Sequence, residues 1–198
     1  MDTFFDVLRL AHEAVARALE QADSSAGSSP LAVDATVGNG HDSLFLARSV
    51  GGHGMVFGFD LQQRALDAAR MRLTEAGVTE RVALFHASHE HMAELLPAEA
   101  HGRIRAVMFN LGYLPGADKS VVTTPQSTVA ALDAALSLLA PGGVISITAY
   151  PSHPGGAEET QTVRGWCAGL DSPYKAMEYG MANRPDAKRL FLAGWPRG

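Results

Sequence analysis

The chain predicts an α/β fold: a mainly parallel sheet with helices on both faces. Three observations predict it. Short apolar runs alternate with helix-period segments from residue 31 to residue 195. The first of these runs ends in a carboxylate and turns through two glycines into a helical segment, Asp34-Ala-Thr-Val-Gly-Asn-Gly-His-Asp42. Polar residues then recur just after each apolar run, where ligands gather in sheets of this kind. At 198 residues, with 46% hydrophobic content, the chain suits one domain with a full core.

Each element has its own signal. Residues 2–22 place Phe4, Val7, Leu8, Ala11, Val15, Ala18 and Leu19 at helical spacing, so an amphipathic helix (residues 1–23) should pack on the domain edge. Ser24–Pro30 reads as a flexible connection, too short to separate this helix from a core spanning 31–198. Leu31–Ala35 is a strand and His41–Ser49 a helix. Gly54–Asp60 is a second strand, and Gln62–Ala76 a helix ended by Gly77 as a C-cap. Arg81–His86 is a third strand, with a short helix from about His91. Arg105–Leu111 is a fourth strand, and Thr124–Ala140 a helix stopped by Pro141-Gly142-Gly143. Val144–Tyr150 is a fifth strand, Ala157–Ala168 the last helix, and Tyr174–Met181 and Arg189–Trp195 the final strands.

Composition narrows the function classes. A net charge of −5 argues against a generally basic nucleic-acid binder. The charge is uneven: residues 1–100 carry 7 Lys/Arg against 14 Asp/Glu, and residues 101–198 carry 9 against 7. A polyanion would therefore meet the C-terminal half. No apolar run approaches the roughly 20 residues of a membrane helix. Met-Asp-Thr-Phe-Phe-Asp lacks the basic region of a signal peptide, so a cytoplasmic location is expected. One cysteine, Cys167, excludes an internal disulfide.

The strand ends carry the chemistry. After strand one, the glycine turn (Gly38, Gly40) lets a ligand lie against the backbone, with Asp34, Thr36, Asn39 and Asp42 as polar contacts. His41 and Asp42 also stand where a helix cap would be. A dinucleotide fingerprint would have a third glycine where Ser43 stands. The polar Asp-x-Thr before the turn and the His-Asp after it instead resemble the S-adenosylmethionine loop of class I methyltransferases. Asp60, about 20 residues on, can accept hydrogen bonds from two ribose hydroxyls, with Gln62 close by; its competing role is a helix N-cap. Ser88 and His89 stand where an adenine edge would be met. His86, His89 and His91 lack an accompanying carboxylate or cysteine ligand set, so no metal is expected.

After strand four comes Asn110-Leu-Gly-Tyr113. Amino-group methyltransferases commonly carry Asn-Pro-Pro-Tyr here. A side-chain carbonyl can hold amine hydrogens and aim the lone pair at a sulfonium methyl, while an aromatic ring stacks on a flat base. The competing reading is a turn asparagine and a packing tyrosine. Lys119 is a candidate phosphate contact or a solvated lysine. His153, in the Gly/Pro-rich loop after strand five, is a candidate general base and substrate contact, or a structural loop histidine.

Asp34-Ala-Thr-Val-Gly-Asn-Gly-His-Asp, Phe57-Gly-Phe-Asp-Leu-Gln, Ser88-His-Glu, Phe109-Asn-Leu-Gly-Tyr-Leu-Pro-Gly-Ala-Asp-Lys and His153-Pro-Gly-Gly appear in order. Together they resemble the putative rRNA methylase family, which is similar to the bacterial tRNA 5-(aminomethyl)-2-thiouridine methyltransferases. The resemblance covers roughly residues 31–195. It implies a class I methyltransferase (Rossmann-like) fold, with seven mostly parallel strands and the last antiparallel. It implies methyl transfer from S-adenosylmethionine to the aminomethyl nitrogen of wobble uridine 34, with the tRNA anticodon stem-loop as partner. Asn39, Asp42, Asp60, Gln62, Ser88 and His89 would face the cofactor, and Asn110 and Tyr113 the amine and base. The family often has Tyr-His-Gly-His where this chain has Tyr150-Pro-Ser-His153, so one histidine is absent. Cys167 lies far from the strand ends, which disfavours a ring-carbon methylation through a cysteine nucleophile. The alternatives are a methyltransferase for rRNA or a small-molecule amine, a cofactor-binding module, or a nicotinamide enzyme. A homodimer is a further possibility.

Overall fold

A computed structural model of the chain describes residues 5–21, 29–112 and 125–196. In chain order its elements are α1 (Val7–Glu20), β1 (Leu31–Asp34), α2 (His41–Ser49), β2 (Met55–Asp60), α3 (Gln63–Glu75), β3 (Val82–His86) and α4 (Met92–Leu95). There follow β4 (Ile104–Leu111), α5 (Pro125–Leu138), β5 (Leu139–Ala149), α6 (Gly156–Ala168), β6 (Lys175–Tyr179) and β7 (Arg189–Gly194). The seven strands form one sheet in the order β3-β2-β1-β4-β5-β7-β6. The pairs from β3 to β5 are parallel, and β7 runs antiparallel to both β5 and β6. The expected fold class is therefore the observed one, with β7 as the reversed strand.

Strand alternation divides the core. On one face Val33, Phe57, Phe59, Phe109 and Ile147 pack with Met92, Ala131, Leu132 and Val163 of α4, α5 and α6. On the other, Ala32, Val56, Ala106 and Met108 pack with Ala11 and Val15 of α1 and Leu46 of α2. α1 is thus more than an edge decoration. Asp6 caps it, accepting a hydrogen bond from the Leu8 amide at 3.1 Å, and its apolar face docks on the centre of the sheet. Ser24 to Ser28 of the expected connection lie outside the described residues.

One boundary differs from expectation. α5 ends at Leu138, and β5 begins at Leu139, before Pro141-Gly142-Gly143 rather than after it. Proline pushes its predecessor out of the helical region, so the chain is already extended at Ala140. The glycines are absorbed as an irregularity: Leu139 pairs with Ile104, and regular pairing resumes at Val144 with Ala106. Tyr150 lies just past the end of β5. Among the described residues, no helix is long and apolar enough to cross a membrane.

Candidate active site

A cavity of about 1260 Å³ opens at the carboxyl ends of the parallel strands. The loops after all five parallel strands supply its wall, where an open α/β sheet places its ligands. Of the residues expected from the sequence, Thr36, Gly38, Asn39, Asp42, Asp60, Gln62, Ser88, His89, Asn110 and His153 all line it. Tyr113 and Lys119 lie outside the described residues.

Asp34 and Gly40, also expected at the cofactor, do not line the cavity. Asp34 is fully buried beneath the loop, accepting hydrogen bonds from the Ser43 hydroxyl at 2.6 Å and the Thr36 amide at 3.2 Å. It ties the loop to the first turn of α2. Burial first, then the neighbouring Asp42 charge, pushes its carboxyl up to about 7. Gly40 has φ +76°, and a Cβ there would come within 2.8 Å of the Ala69 backbone on α3. Its lack of a side chain serves the turn and the α2–α3 approach.

Asp60 joins two loops. Its Oδ2 accepts from the Gly38 amide and its Oδ1 from the Gln62 amide, both at 2.8 Å. The residue at the N-cap of α3 is Gln62, so Asp60 serves the glycine turn rather than capping that helix. Both oxygens keep further acceptor capacity towards the cavity.

The three histidines at and after the end of β3 do not converge but reach separate partners. His86 Nε2 meets the Leu61 carbonyl at 2.8 Å, His91 lies beside Glu90 and Glu94, and His89 Nδ1 meets the Ala35 carbonyl at 3.1 Å. A carbonyl only accepts, so His89 carries its hydrogen on Nδ1. Burial holds its pKa below the ordinary histidine value, which keeps the ring neutral with Nε2 as an acceptor.

The β4 end is built differently. The Asn110 amide donates to Thr36 Oγ1 at 2.7 Å. The Asn110 side chain donates from Nδ2 to Asp42 Oδ2, and His12 Nε2 lies 2.7 Å from Asp42 Oδ1. Asp42 therefore bridges α1 and β4 instead of capping α2, whose N-cap Gly40 makes no side-chain cap bond. Asn110 Nδ2 is committed to a carboxylate, so the amide turns its oxygen away from Asp42. Leu111, where the amino-group pattern has proline, still pairs with Ala149, so β4 extends a residue past Asn110.

The β5 loop closes this side. His153 Nδ1 meets the Pro154 carbonyl at 2.9 Å, leaving Nε2 as the basic nitrogen of the neutral ring. That Nε2 lies 3.8 Å from where a Gly112 Cβ would stand, two residues past Asn110. Gly156 fits under the loop so tightly that a Cβ would overlap the Tyr150 carbonyl oxygen, at 2.1 Å.

Sequence reasoning missed Leu8 and His12 of α1 and Gln126 of α5 in the cavity wall. One signal was readable: His12 follows Leu8 by four residues on the helix's apolar side. Cys167 packs against the core away from the cavity, and burial pushes its thiol up to about 11, so it supplies no thiolate nucleophile.

A family model described as putative rRNA methylase matches residues 56–194. The chain is 41% identical over 169 residues to the chloroplastic tRNA (mnm(5)s(2)U34)-methyltransferase of Arabidopsis thaliana, an alignment covering 81% of this chain and 61% of that protein. The chain thus spans about three fifths of that relative's length. The crystal structure of a putative rRNA-methylase from Clostridium thermocellum superposes with a TM-score of 0.86 at 32% identity, covering 96% of this chain and 97% of that one. A putative methyltransferase from Streptococcus mutans, crystallised in complex with SAH, gives 0.80 at 30% identity, covering 95% and 97%.

Proposed function

The chain belongs to the putative rRNA methylase family, and from that premise we propose that it methylates an amine on tRNA. The donor is S-adenosylmethionine and the acceptor the aminomethyl nitrogen of 5-aminomethyl-2-thiouridine at wobble position 34. The observation that carries the amine reading is the anchored amide of Asn110, whose oxygen is its remaining polar atom at the cavity. The tRNA reading draws on the 41% identity to the Arabidopsis protein.

The residues fit the cofactor. Gly38 gives backbone access at the turn. Asp60 offers carboxylate lone pairs to ribose hydroxyls, and neutral His89 with Ser88 offers polar partners to an adenine edge. Asp42, Asp60 and Glu90 give the wall an acidic character that suits a sulfonium. When bound, S-adenosylmethionine supplies an electrophilic methyl carbon.

On the acceptor side, Asn110 Oδ1 accepts an amine N–H and aims the lone pair along the line of attack. His153, whose Nε2 is buried against Gly112 and Gly156, is the candidate base for the proton that an ammonium must lose, once its loop exposes that nitrogen. Tyr113 and Lys119, outside the described residues, are assigned to the base and to a backbone phosphate on the sequence alone. Lys188, whose Nζ lies 5.7 Å from the ring centroid of the wall residue Tyr150, adds positive charge beside the cavity for the anticodon stem-loop.

The test is the nucleoside content of tRNA from cells lacking this chain. Accumulation of 5-aminomethyl-2-thiouridine with loss of its methylated form is the expected result. An unchanged nucleoside profile would overturn the reading.

A further inference from the structure

We infer that His12, on α1, is a positioning residue for methyl transfer, acting through Asp42 to fix the orientation of the Asn110 amide. The inference rests on the amine-methylation reading above.

The geometry is a three-residue chain from three elements distant in sequence. His12 Nε2 stands 2.7 Å from Asp42 Oδ1, and Asp42 Oδ2 takes the Asn110 Nδ2. A carboxylate in this state only accepts, so His12 must present Nε2–H and Asn110 must present its NH2 end. The imidazole is itself held flat against Phe45, with ring centroids 3.9 Å apart and planes within 6°. Asp42 is mostly buried, its side chain 14% exposed, so an unheld carboxylate there would have little water to replace His12.

The chemical consequence lies in the amide. Its two ends are nearly the same size, so only hydrogen bonding decides which faces the cavity. With Asp42 in place, Oδ1 faces the acceptor amine and receives its hydrogen. A flipped Asn110 would aim N–H at the amine lone pair and hold it back from the methyl carbon. His12 pins the carboxylate that forbids the flip. The docking of α1 on the sheet, through Ala11 and Val15, thereby becomes part of the site.

The experiment measures kcat and KM for tRNA at saturating S-adenosylmethionine in wild type, His12→Ala, His12→Phe and His12→Gln. Phenylalanine keeps the stack on Phe45 without the N–H, and glutamine restores an N–H donor. Calorimetry with S-adenosylhomocysteine and thermal melting accompany each variant. His12→Ala and His12→Phe should lower kcat about tenfold, the scale of one charge-assisted hydrogen bond. Their KM and cofactor affinity should stay within about twofold, and His12→Gln should recover most of the rate. If His12→Ala does not fold, His12→Phe decides. In parallel, the Asn110 side-chain amide is followed in ¹H–¹⁵N spectra, assigned through Asn110→Ser. Its hydrogen-bonded shift should persist in His12→Gln and collapse in His12→Phe. Rates within twofold of wild type, no recovery with glutamine, or an unmoved amide signal would overturn the inference. If wild type methylates no tRNA, the function reading fails instead, and the amide spectra alone decide the role of His12.

Discussion

The two halves of the cavity are held by different kinds of bond. At the β1 and β2 ends, main-chain amides hold carboxylates: Asp34 is held by the Thr36 amide together with the Ser43 hydroxyl, and Asp60 by the Gly38 and Gln62 amides. At the β4 end, side chain holds side chain, from His12 to Asp42 to Asn110. The first arrangement is rigid because the backbone of the turn is part of it. The second has orientation but depends on helix α1 staying docked. Under the proposed function, the first half would meet the cofactor's ribose and the second the acceptor amine.

The contrast can be broken from either side. The largest effect is expected from Asn110→Ala: kcat should fall about 10²-fold, the scale of losing one orienting group, while S-adenosylhomocysteine affinity stays within about twofold by calorimetry. A matching loss in cofactor affinity would erase the division between the halves. Asp60→Ala should do the reverse, weakening S-adenosylhomocysteine by about 10²-fold through lost charge-assisted bonds and a loosened turn. Its rate at saturating cofactor should fall far less.

Two smaller effects sharpen the account of the first half. Gly40→Ala forces a Cβ against Ala69 at an unfavourable φ, and should cost about 1–3 kcal/mol of stability, read as a drop of several degrees in Tm. The other effect concerns Asp34, raised from 3.8 to about 7 by burial and then by Asp42. A carboxyl raised on folding favours the native state fully below its unfolded pKa, and that contribution is lost as pH rises through about 7. Asp34→Asn, which titrates nothing here, should show a shallower fall in Tm than wild type between pH 4 and pH 7. Parallel melting curves for the two proteins would contradict the assignment.

What could be read in the sequence follows the same division. Strand periodicity placed β1, β2 and β4 within about a residue, and so located Asp60 and Asn110 at strand ends. The glycine turn was legible because its chemistry is contiguous. Its internal division of labour was not: Asp34 and Gly40 face the protein, and Thr36 and Gly38 the cavity, a distinction set by loop curvature. His12 was read only as part of an edge helix, because Asp42 lies 30 positions away, Asn110 is reached only through Asp42, and no local pattern links them. The α5–β5 boundary was misplaced because proline bends the chain before its own position, not at it.

The most direct test of the account is transfer of labelled methyl from S-adenosylmethionine by the purified protein. The substrates are tRNA bearing 5-aminomethyl-2-thiouridine, the free nucleoside, and rRNA. The account predicts label on the exocyclic nitrogen of the wobble nucleoside, with transfer to tRNA far faster than to the free nucleoside. Label on a ring carbon or on rRNA alone, or equal rates with tRNA and nucleoside, would contradict it.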